Sequence, residues 1–159
     1  MKTLIAVSLI LLNSSVWAAS VSVEGAYVRH MPPTQSVTGA FMTFKNTTDA
    51  DRAVVSAESA VAERVELHTH LHENGVMKMR QVEKIEVPAG GETVLAPGGF
   101  HVMLIGLKQS LDLGQMVDIK FNFDDGTSEQ IQAEVKSVMG GMKMSGGNMN
   151  HKKMKSMGN

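Results

Sequence analysis

The chain has 159 residues, with 15 Lys and Arg against 16 Asp and Glu and a formal net charge of −1 at pH 7. It carries 13 methionines and no cysteine, which excludes a disulfide framework, thiolate zinc sites, cysteine nucleophiles and blue copper. Setting aside the first segment leaves about 140 residues, enough for one domain with a real core.

That first segment, residues 1–18, reads as an export signal. Lys2 supplies the positive start, Leu4 to Leu12 form an apolar run, and Val16-Trp17-Ala18 places small residues for cleavage after Ala18. The run is too short to span a bilayer, and no later stretch approaches about 18 unbroken apolar residues. The mature chain is therefore expected to be soluble, without a membrane span. A lipoprotein anchor would require a cysteine, and the chain has none.

From 19 to 138 the chain reads as one domain built of short strands. The predicted strands are 21–29, 37–45, 53–57, 62–72, 76–87, 93–95, 101–107, 116–123 and 130–136. Alternation is clearest where Val117, Ile119, Phe121 and Phe123 interleave with Asp118, Lys120 and Asn122. Pro32-Pro33, Thr48-Asp49, Asn74-Gly75, Gly90-Gly91, Pro97-Gly98-Gly99 and Asp125-Gly126 supply turns between the strands. This spacing predicts an all-β antiparallel sandwich with Greek-key links. The domain is acidic, with ten basic against sixteen acidic residues, which argues against nucleic acid as a partner.

Residues 139–159 differ in character. Met139, Met142, Met144, Met149, Met154, Met157 and His151 are set among Gly, Asn, Ser and Lys, with no periodicity that could bury them. The tail is expected to be disordered without a partner. Packing does not explain its methionines, and metal capture does.

Two soft donors stand one residue apart at His101 and Met103, and on a strand an i, i+2 pair shares a face. Imidazole and thioether together suit Cu(I) far better than Mg, Ca or Mn. A second donor row surrounds Asn74-Gly75, the strongest short hairpin signal. A two-residue type I′ turn there sets His72 opposite Met77, His70 opposite Met79 and His68 opposite Gln81. All three histidines and both methionines then share one face, with His68 diagonal to Met79 at roughly 7–8 Å. One histidine on a strand is ordinarily a surface residue and one methionine ordinarily core filler; five donors on one hairpin face make a candidate site. Joined by His101 and Met103, the hairpin offers a tetrahedral site of two nitrogens and two sulfurs, with His70 the simplest partner of Met79.

His68, ten intervening residues, Met79, twenty-one more, then His101-x-Met103 is the ligand spacing of the periplasmic PCuAC-type copper chaperones. The segments Val65-Glu-Leu-His68, Gly75-Val-Met-Lys-Met79-Arg80, Val87-Pro-Ala-Gly-Gly91 and Pro97-Gly-Gly-Phe-His101-Val-Met103 also resemble that family, over residues 21–138. The resemblance implies a cupredoxin-like sandwich holding one Cu(I) through His68, Met79, His101 and Met103. It further implies a monomeric periplasmic protein that passes copper to an acceptor such as a cytochrome oxidase subunit or its assembly factors. His70, His72 and Met77 are auxiliary donors beside that site. The tail is similar to extensions that bind additional copper, as Cu(I) or Cu(II). Three other readings compete: a copper storage or resistance protein, a zinc or nickel carrier using the His68/His70/His72 cluster, and an enzyme. The last lacks a nucleophile–base pair, a phosphate loop and any sign of a substrate pocket.

Overall fold

The computed structural model describes residues 20–137, so the signal segment and the Met/His tail lie outside the described residues. Ten strands follow one another: β1 (Val21–Arg29), β2 (Val37–Asn46), β3 (Arg52–Glu58), β4 (Ala62–Glu73), β5 (Val76–Gln81), β6 (Ile85–Val87), β7 (Glu92–Leu95), β8 (His101–Leu107), β9 (Met116–Phe123) and β10 (Ser128–Lys136). Among the described residues no helix is long and apolar enough to cross a membrane.

Hydrogen bonding runs β5-β4-β8-β2-β1-β10-β9-β3-β6. The long β2 serves two partners, β8 at Val37–Ala40 and β7 at Met42–Lys45. The sheet curls so that Phe44 on β2 meets Phe121 on β9 edge-to-face, ring centroids 5.0 Å apart. That contact lies inside a core that includes Val28, Val54, Ile85, Val102, Leu104, Ile119 and Val135. The alternation expected in β9 is observed: Val117, Ile119, Phe121 and Phe123 are buried, and their polar neighbours face outward. The architecture is the cupredoxin-like all-β sandwich that the sequence predicts.

Two features differ from expectation. The sandwich is mixed rather than wholly antiparallel, because β1 and β10 pair in parallel, with Tyr27 opposite Glu134 and Arg29 opposite Lys136. No turn joins these two strands, so no local signal constrains their direction. The predicted strand 76–87 is two strands, broken at residues 82–84: β5 pairs with β4, whereas β6 crosses to β3. The last link to the hairpin is Val82 N–H donating to Leu67 O at 2.9 Å.

Asn74 and Gly75 turn the β4–β5 hairpin with φ of 53° and 78°, as a type I′ turn requires. β8 pairs with β4 only from Ala62 to His68. Beyond His68, therefore, β4 is paired with β5 alone, and the hairpin projects as an arm past the start of β8. All six residues of β5 are exposed.

Candidate metal centre

Burial decides which way β8 points its donors. Val102 and Leu104 are fully buried in the core, which turns His101 and Met103 to the opposite face of the strand. Register then aligns the neighbours. His68 lies opposite His101 and Glu66 opposite Met103 on β4, and Gly39 lies opposite Met103 on β2. On the arm His70 is opposite Met79 and His72 opposite Met77, the pairing predicted from the turn.

These strands enclose a cleft of about 410 Å³. Met77, Met79 and His70 line it from the arm, His101 and Met103 from β8, and Arg29, Met31, Val37 and Phe41 from β1, β2 and their connection. Gly39 lines it as well, and a Cβ there would crowd the Phe41 ring, at 3.2 Å from its tip. His68 stands beside His101, ring centroids 5.9 Å apart, but is not part of the cleft lining. His70 does line it, stacked on His101 at 4.9 Å and 30°. His72 is exposed toward the tip of the arm. The tail donors Met139, Met142, Met144, Met149, His151, Met154 and Met157 lie outside the described residues.

Hydrogen bonds set the histidine tautomers. His101 is 3% exposed, and its Nδ1 lies 2.9 Å from Gly99 O. A carbonyl only accepts, so Nδ1 carries the proton and Nε2 is left with a bare lone pair. His68 Nε2 lies 2.9 Å from Glu66 Oε2, which likewise leaves Nδ1 bare. Nε2 of His101, Nδ1 of His68 and Nδ1 of His70 are all buried without a hydrogen-bond partner. An unpartnered buried polar atom costs about 1–3 kcal/mol, so the two on cleft-lining residues, His70 and His101, with a third on the adjacent His68, call for a ligand. Burial pushes the His101 imidazole below its ordinary 6.5; the bond to Gly99 O opposes this, and the charges of His70, His68 and Arg29 add to it. A neutral imidazole is the form that binds metal.

Four contributors have no ligand signature in the sequence: Glu66, Arg29, Gly39 and Phe41. Glu66 was within reach, two residues before His68 on the same face. Arg29, Gly39 and Phe41 enter from strands remote in sequence and carry no local mark. Among the described residues no group of three or more His, Asp or Glu side chains is placed to hold a metal ion. The convergent donors are mixed imidazole and thioether.

A cupredoxin-like sandwich with histidines and methionines gathered on one face defines a domain of the PCuAC copper-binding type. The LpqE-like family ("Putative lipoprotein LpqE-like") matches residues 21–135, and the chain belongs to this PCuAC-related family. "Putative lipoprotein Lxx21020" of Leifsonia xyli subsp. xyli is 36% identical over 77% of this chain and 74% of its own length. The solution structure of Cu(I)-DR1885 from Deinococcus radiodurans is 35% identical, with a TM-score of 0.64 over 79% of this chain and 85% of that one. The copper-bound PCuAC domain from PmoF2, at 20% identity, shares the fold, with a TM-score of 0.63 over 76% of this chain and 97% of that domain.

Proposed function

We propose that the protein is a periplasmic copper chaperone that holds one Cu(I) through His68, Met79, His101 and Met103 and releases it to a copper-accepting protein. The observation that carries this reading is the pair of tautomers, in which Gly99 O and Glu66 each hold one ring nitrogen and leave the other buried and bare, with His101 lining the same cleft as Met79 and Met103. A carboxylate behind a ligating histidine orients the ring and raises its basicity. The Cu(I) form of the 35%-identical DR1885 supports the same cargo here.

The chemistry is ligand exchange, with no substrate bond made or broken. Two neutral imidazoles and two neutral thioethers leave the ion with its single charge. Thioethers need no deprotonation, so binding depends less on pH than at a thiolate site, and acid releases copper only by protonating imidazoles. His70 is the second candidate for the first ligand, since it faces Met79 directly and lines the cleft. His68→Ala and His70→Ala separate the two.

The tail supplies additional capture. The described chain leaves β10 at Lys136, in register with Arg29 on the cleft wall. A tether of this kind raises the local concentration of its donors around the site. Cytochrome oxidase copper centres are the acceptors that the family resemblance suggests.

The test is an anaerobic Cu(I) competition titration of the mature chain, with and without residues 139–159, alongside Met103→Ala. One tight equivalent that survives loss of the tail and disappears with Met103→Ala is the expected result. Copper bound only when the tail is present would reject the cleft site and make storage the better reading.

A further inference from the structure

Arg29 lines the cleft from β1, the contributing strand farthest from the arm in the sheet order. Its Cζ lies 5.4 Å from the centroid of the Phe41 ring, and that centroid lies 6.3 Å from the His101 ring. The guanidinium carbon is therefore within about 12 Å of the His101 ring centre. Its Nε is buried with no hydrogen-bond partner, and among the described residues no carboxylate lies within ion-pair distance of Arg29. Acids on the neighbouring strands are engaged elsewhere: Glu66, opposite the cleft-lining Met103, by His68 and Arg64, and Glu134 on β10 by Lys136. A full positive charge thus faces neutral donors across an apolar cleft. Packing on Phe41 alone would be served as well by Met or Leu, without the desolvation penalty of a charge.

We propose that Arg29 is a specificity-determining residue whose fixed charge favours monovalent over divalent copper in the cleft. The inference rests on the copper-binding reading above. A unit charge repels Cu(II) twice as strongly as Cu(I), so the discrimination equals one unit-charge interaction across the cleft. At roughly 10 Å and an effective dielectric constant of about 20, this is about tenfold in the ratio of the two affinities. For a one-electron couple, tenfold corresponds to about 59 mV. The same field disfavours protonated His101, in keeping with its lowered pKa.

The experiment measures Cu(I) and Cu(II) affinities of the full mature chain by competition with chromophoric chelators, under reducing and oxidising conditions respectively. Arg29→Met, Arg29→Gln and Arg29→Lys are compared, with Met103→Ala serving to subtract copper held outside the cleft. The expected result is that both neutral variants shift the ratio about tenfold toward Cu(II), while Arg29→Lys stays within about twofold of the parent. An unchanged ratio in the neutral variants overturns the proposal. Equal shifts in all three overturn it too, since the effect would then come from packing on Phe41. If one neutral variant fails to fold, the other still decides against Arg29→Lys. A parent chain with no Cu(I) sensitive to Met103→Ala would sink the copper reading itself, and this inference with it.

Discussion

At the scale of single residues, the candidate centre depends on groups that touch no metal. Glu66 fixes the His68 ring through the 2.9 Å contact at Nε2. Removing its charge as Glu66→Gln keeps the shape and weakens the acceptor, and partners of this kind typically contribute 10–100-fold to metal affinity. Cu(I) affinity of Glu66→Gln is expected to fall within that range, with the thermal midpoint nearly unchanged; an affinity within twofold of the parent would remove Glu66 from the site. His101 makes a pH prediction for the metal-free protein. The unfolded chain protonates this imidazole near 6.5, and burial holds the folded value lower. Between the two values the unfolded state binds more protons, so stability rises with pH. The contribution is complete above about pH 6.5 and is lost as pH falls toward the depressed value. Urea unfolding from pH 8 to pH 5 is expected to show this loss, and His101→Gln to lack that part of it. Identical slopes for the two proteins would contradict the assignment.

At the scale of elements, the Asn74-Gly75 turn determines which side chains share the cleft. A one-residue slip of β5 would turn Met77 and Met79 to the other face. Gly75 has φ of 78°, a conformation that β-branched residues rarely adopt. Gly75→Val is expected to strain the turn by about 1–2 kcal/mol and to lower Cu(I) affinity by misplacing Met79, while leaving near-native circular dichroism. Parent-like affinity would show that the arm contributes no ligand. The register of this hairpin was legible in the sequence because a two-residue loop leaves one pairing. Strand β9 was legible from the alternation of Val117, Ile119, Phe121 and Phe123 with polar residues. The break at residues 82–84 was not, since both halves have strand character and only tertiary partners separate them. The parallel union of β1 and β10 was equally hidden, because alternation reports which face is buried and says nothing of the neighbour's direction. Arg29 and Phe41 escaped for the same reason: their place beside His101 is created by strand order.

At the scale of the whole molecule, a ligand that binds only the folded chain stabilises it by mass action. Free Cu(I) at a hundredfold excess over the dissociation constant contributes about 2.7 kcal/mol, a rise of roughly 8–15 °C for a domain of this size. Anaerobic thermal melts of the mature chain are expected to show that rise, and Met103→Ala to show little of it. A melt unmoved by Cu(I) would mean that copper is held outside the folded domain. The projecting arm has one more consequence. His101 and Met103 sit on a strand flanked by β4 and β2, whereas β5 is bonded to β4 alone and is exposed throughout. Local opening at a sheet edge requires far less free energy than global unfolding. The cradle is therefore mechanically unequal, one half anchored and one half able to peel. Amide hydrogens of β5 are expected to exchange well before those of β8, and an acceptor approaching from the arm side would meet the half of the grip that lets go first.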